Sequence, residues 1–237
     1  MCLPRGMFSF FFKKPKIVLD CFTANPEVET LFPILYAEER LPSFWKNIPT
    51  TVKHQGPMRG TMKTCPGVST LYRTGFILQS WQEYWIGVEG GMLKWFPEAE
   101  AEGHHPKQWG EYLKGYHHLK LNSPWKIKEK TGVNFLYTNT FWHDDEFKPF
   151  VVNGVVDYKY QHTTSVNLLI PKTMFPKELT IPAGKELAHV IPLSESDIKI
   201  SMHTVSFDEY VKQTGIIPFA LNGQYFKRRK ILKDKGL

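Results

Sequence analysis

Short apolar stretches recur along the chain and are broken at close intervals by Pro, Gly and Asn. They fall at 16–22, 70–79, 83–88, 92–96, 117–121, 125–128, 133–138, 150–156, 165–170, 186–192 and 198–205. Val, Ile, Phe, Tyr and Trp dominate them, and these branched or aromatic side chains suit a pleated surface with a buried face. Many short strands separated by turn signals predict a mainly β fold. The expected architecture is a single β-sandwich or barrel-like domain with a few short helices.

Helical signals are sparse. The best follows the last strand, where Ser206 and Glu209 stand at capping-box spacing and Phe207, Tyr210 and Val211 make an apolar face before Gly215. A second segment, 37–47, contains Pro42, whose ring and missing N–H break or kink a helix. A short helix or turn is expected there.

Composition supports a folded protein: 42% of the 237 residues are hydrophobic and 14% aromatic, enough apolar surface to offset the entropy of ordering a chain. The net charge of +7 is unevenly placed. Lys227, Arg228, Arg229, Lys230, Lys233 and Lys235, set against Asp234, carry +5 of it, leaving about +2 for the rest of the chain. This divides the chain into an N-terminal arm at 1–15, one β-rich domain at 16–222 and a basic tail at 223–237. The tail reads as a solvated end, or as a contact for nucleotide or phosphate or for an acidic partner.

Cys2, Cys21 and Cys65 lack the paired spacing of a disulfide framework or zinc knuckle, so a reducing environment is the simpler expectation. The apolar run 7–12 is too short to span a membrane, and its Lys13, Lys14 and Lys16 follow it, unlike a signal peptide. It reads as a core or interface plug. Host cytoplasm or a virion is the expected location.

The stretch 153–192 is the most informative. Gly154-Val-Val-Asp157-x-x-Tyr160 leads into 165–170, followed by Ile-Pro-Ala-Gly-Lys-Glu-Leu-Ala-His-Val-Ile at 181–191. It resembles the later part of the dUTPase-like (β-clip) fold. The resemblance implies a ligand site at Gly154, Asp157 and Tyr160, with Asp157 approaching a sugar hydroxyl or attacking water and Tyr160 packing against a base. The chain departs from that pattern at Gln161 and His162, at Lys185, Glu186 and His189, and in having no Ser-Gly phosphate loop upstream. The plainer structural reading has Gly154 relaxing a bulge, Asp157 closing a turn and Tyr160 filling core.

Across more of the chain, the ordered elements Leu41-Pro-Ser-Phe-Trp-Lys, Lys63-Thr-Cys-Pro-Gly-Val, Thr74-Gly-Phe-Ile-Leu, Asn122-Ser-Pro-Trp-Lys-Ile, Gly154-Val-Val-Asp and 184–192 look like a β-rich family of tailed phages and bacteria. That resemblance implies a phage or bacterial origin and supplies no catalytic residues.

A third pattern joins His143 and Asp145 with His203 far downstream and Lys212 beyond it. Two strand-borne ligands, a distant His and a cation are what an Fe(II)/2-oxoglutarate oxygenase requires. Asp144 to Glu146 reads equally as an acidic loop. The adjacent pairs His104-His105 and His117-His118 project to opposite strand faces and do not readily share a metal. Glu98, Glu100 and Glu102 read as a solvated loop or as an acidic edge for cations, and the seven Trp as core or as stacking platforms.

Three functions follow from this, with cofactor and substrate open. The leading one is a non-enzymatic phage protein acting by binding or assembly, with a homo-oligomer or other phage proteins as partners. The second is a dUTPase-like nucleotide-binding or nucleotide-hydrolysing protein, and the third the iron oxygenase.

Overall fold

The computed structural model describes residues 16–53, 55–110, 112–140, 149–174, 178–213 and 224–236. The N-terminal arm at 1–15 lies outside these residues, as do His143 and Asp145. In chain order the strands are β1 (Ile17–Thr23), β2 (Leu35–Tyr36), β3 (Thr51–Lys53), β4 (Met58–Gly60), β5 (Phe76–Gln79), β6 (Tyr84–Glu89), β7 (Met92–Phe96) and β8 (Ala101–Gly103). They continue with β9 (Tyr116–Lys128), β10 (Asn134–Asn139), β11 (Phe150–Val151), β12 (Gly154–Asp157), β13 (Thr163–Pro171), β14 (Leu179–Ile181), β15 (Glu186–Pro192) and β16 (Ile198–Thr204). The helices are short: α1 (Pro26–Leu31), α2 (Ser43–Asn47), α3 (Pro66–Arg73), α4 (Phe207–Lys212) and α5 (Gln224–Asp234). The fold is therefore mainly β, as the pattern predicts.

Two large sheets carry the architecture. One has the order β11-β13-β9-β1-β16 with β8 also on β9, and the other β12-β10-β15-β5-β2. Pairing is antiparallel in both except where β1 runs parallel to β16. A smaller sheet, β14-β6-β7, and the hairpin β3-β4 accompany them, and among the described residues no sheet closes into a barrel. Strict alternation directs Ile17, Leu19 and Cys21 of β1 and Val166, Leu168 and Ile170 of β13 inward. They join Phe76, Phe135, Tyr137 and Val190 of the other sheet in one apolar core, the arrangement expected of a sandwich.

Several elements differ from the sequence expectation. The stretch 70–79 is not one strand: Pro66 opens α3, which buries Tyr72 against Trp45 at 4.7 Å between ring centroids. Helical spacing of Val68, Leu71 and Tyr72 outweighs the β-preference of Thr70 and Tyr72, and β5 starts only after Gly75. Residues 117–121 and 125–128 belong to one strand, β9, because Pro124 sits opposite the register shift between Thr163 and Ser165, where no ladder N–H is required. Stretch 150–156 splits instead, Phe150–Val151 pairing in one sheet and Gly154–Asp157 in the other. Segment 37–47 divides at Pro42 into a 3-10 turn, Ala37–Arg40, and α2.

Within the basic tail, Gln224–Asp234 form a helix. Residues 224–234 contain neither Gly nor Pro and are rich in Lys and Arg, both good helix formers.

Candidate functional site

Asp157 and Tyr160 bracket the turn between β12 and β13. The Asp157 main-chain carbonyl accepts the N–H groups of Tyr160 and Gln161 at 3.1 and 2.9 Å, and its side-chain Oδ1 accepts Lys159 N–H at 3.1 Å. Asp157 thus closes the turn as its residue type favours. Its other oxygen, Oδ2, receives Arg229 Nη2 of α5 at 2.6 Å. The Asp157 side chain is only 3% exposed, against 26% for Arg229.

Tyr160 is buried, and its ring faces three cations: Lys159 at 5.6 Å, Arg229 at 5.8 Å and Lys233 at 6.0 Å from the centroid. This is cation–π geometry. Gly154 is exposed, and a Cβ placed on it meets nothing within 4 Å, so neither a bulge nor a close approach requires glycine there. Instead Gly154 borders a small polar cavity of about 170 Å³ shared with Gln161, Thr163, Ser165 and Asn167. Asp157 and Tyr160 are not among its walls.

The neighbouring residues tie down α4. His162 contacts the Gln213 carbonyl through Nδ1 at 3.1 Å and the Lys159 carbonyl through Nε2 at 3.4 Å, and burial lowers its pKa. Lys126 donates to the Tyr210 carbonyl at 3.0 Å while lying 3.9 Å over that ring, and burial lowers its pKa as well. The segment 157–162 is therefore the place where both C-terminal helices attach to the β domain.

The other departures from the dUTPase-like pattern have internal uses. Arg40 bonds Gln79 Oε1 at 2.6 Å and the Gly184 carbonyl at 3.1 Å, and lies 3.5 Å from Glu186. His189 Nε2 bonds the Thr74 carbonyl at 2.7 Å, and burial drives its pKa down. Both contacts stitch β5 and β15 to the segments around them.

His203 of β16 lies beside Phe22 of β1, their rings stacked at 5.1 Å, and its Nε2 is 3.2 Å from Asp20 Oδ1. Lys212 is exposed at the end of α4. Among the described residues no group of three or more His, Cys, Asp or Glu could hold a metal ion. Of the acidic trio, Glu100 accepts the Trp81 indole N–H at 2.6 Å and Glu102 accepts the Asn122 amide at 2.8 Å, a bond that holds the Glu102 carboxyl below its usual range. No helix among the described residues is long and apolar enough to cross a membrane.

Sequence reasoning missed Arg229 as a partner of Asp157, because the tail was read as charge rather than as helix. Spacing offers a signal: Arg229 and Leu232 are three apart, and on a helix that puts both on one face. A comparison with protein-family models finds no match to this chain, and a comparison with curated proteins finds none either.

Proposed function

We propose that the protein works by binding and assembly rather than by catalysis, and that its basic C-terminal helix is the element that meets a partner. The observation that carries this reading is the use made of Asp157. The carboxylate with the best sequence claim to chemistry is committed to Arg229 and so anchors α5. Helix α5 also exposes Phe226, at 68%, and Ile231, at 52%, with Lys227 and Lys230 between them in the sequence. Large apolar side chains left in water beside cations are the composition of an interface. A second copy of the chain or another protein of a phage particle fits such a role.

The test is the mass of the full chain in solution beside a chain ending at residue 223. Expected is a discrete oligomer or a stable complex that the shortened chain fails to form. A strict monomer that turns over a small molecule would end this reading.

One feature favours the nucleotide reading: the cavity at Gly154 is walled by hydroxyl and amide side chains suited to a sugar. Against it, a volume near 170 Å³ falls below the roughly 300–1,000 Å³ of typical small-molecule sites. Asp157 would also have to leave Arg229 before serving a ligand. The oxygenase reading rests on His143 and Asp145, which lie outside the described residues.

A further inference from the structure

Between the β6-β7 hairpin and the end of the β8-β9-β13 sheet lies a cavity of about 380 Å³, within the size range of small-molecule sites. Its walls include Trp95, Tyr116 and the stacked pair His104 and His118, whose ring centroids are 4.2 Å apart with planes 14° from parallel. The stack is built, not incidental: His104 N–H donates to the His118 carbonyl at 3.0 Å, and His118 Nε2 bonds Asn167 Oδ1 at 3.1 Å.

Lys172 and His117 join the imidazoles, and no carboxylate stands among the described lining residues. Burial, and to a lesser extent the Lys172 charge, lower the pKa of His117. His104 Nδ1 hydrogen-bonds Gln108 Oε1, which leaves Nε2 as the ring's other nitrogen. That Nε2 and the Trp95 indole N–H are both buried without a hydrogen-bond partner, although their side chains line the cavity. Two unsatisfied ring nitrogens in one cavity wall are unusual in a folded protein.

We propose that this cavity binds a flat aromatic compound carrying an acidic group, its ring lying against Trp95 and the imidazole stack and its anion meeting Lys172. Aromatic walls favour a planar ring through stacking. A lysine with no competing carboxylate favours a phosphate or carboxylate. A nucleoside monophosphate and an aromatic carboxylate share this chemistry.

The experiment is calorimetric titration of the full chain with AMP, adenosine, inorganic phosphate and anthranilate. Expected is binding of AMP or anthranilate, with adenosine and inorganic phosphate each weaker. Lys172→Ala should weaken the anionic ligand about tenfold, the equivalent of one lost charge-assisted contact, and leave adenosine unchanged. His104→Ala should weaken all aromatic ligands. Because Lys172 is exposed, its variant keeps the test open if the His104 variant melts early. Absence of binding by both AMP and anthranilate at about 1 mM would overturn the proposal. So would inorganic phosphate binding as tightly as AMP, or affinities untouched by both substitutions.

Discussion

Arg229 Nη2 stands 2.6 Å from Asp157 Oδ2, joining the C-terminal helix to a carboxylate that the β domain otherwise buries. Removing the cation would leave that carboxylate almost wholly out of water, with the Lys159 N–H as the partner of its other oxygen among the described residues.

Arg229→Ala should therefore cost stability. Breaking a buried pair costs about 3–5 kcal/mol, and because the guanidinium is partly exposed the expected loss is nearer about 2 kcal/mol. Asp157→Asn keeps an acceptor for the turn and should cost less. Urea unfolding gives the magnitude, and amide exchange locates it: protection of residues 224–236 should fall in both variants. Unchanged protection there would remove Asp157 as the anchor.

Tyr137 and Tyr158 hydrogen-bond to each other through their hydroxyls inside the core. Burial raises both phenol pKa values, so both groups are neutral at any physiological pH. Tyr137→Phe strands the Tyr158 hydroxyl and should cost about 1–3 kcal/mol, the desolvation of an unpaired polar group. The double Phe variant removes both hydroxyls and should be less destabilised than the two single losses added together. A double-mutant cycle by denaturant unfolding measures the coupling, and strict additivity would mean the hydroxyls do not depend on each other.

The strands were readable because their signal is local. Val166, Leu168 and Ile170 alternate with half-buried neighbours, and one buried face is enough to fix β13. What misled the reading came from tertiary context. Tyr72 belongs to a helix because Trp45 packs on it, and β9 runs through Pro124 because its partner strand slips register there. At the candidate site, residue type correctly assigned Asp157 to a turn and Tyr160 to the interior. It could not disclose that Arg229, 72 residues later, completes the ion pair. The cavity around His104 and His118 was equally hidden, since adjacent histidines on a strand diverge and His118 finds its stacking partner on another strand's end.

Gly75 is held at φ +83°, and a Cβ there would come within 2.1 Å of the Val190 carbonyl oxygen. Its own carbonyl accepts Ala37 N–H at 3.1 Å, so the backbone is fixed from both sides. Gly75→Ala combines an unfavourable backbone region with a clash against main chain, and should destabilise by at least about 2 kcal/mol. Thermal melting measures this. A loss under about 0.5 kcal/mol, the ordinary scale of a surface change, would mean that the β5-β15 approach is looser than described.

Burial, the main cause in each case, lowers the pKa of His117, His118, His162 and His189 below the ordinary 6.5. In the unfolded chain each would regain that ordinary value, so between the folded and unfolded pKa the unfolded state binds more protons. Stability then rises with pH through this window and is lost as pH falls below about 6.5, before carboxylates of ordinary pKa protonate. Each fully linked proton contributes about 1.4 kcal/mol per pH unit. His189→Gln keeps a donor near the Thr74 carbonyl while removing the titration, and should flatten the slope by as much as one proton. Urea midpoints from pH 7.5 to about 5 measure the slope directly. A flat profile across that range would show that these imidazoles are reached by water and protonate equally well in the folded protein.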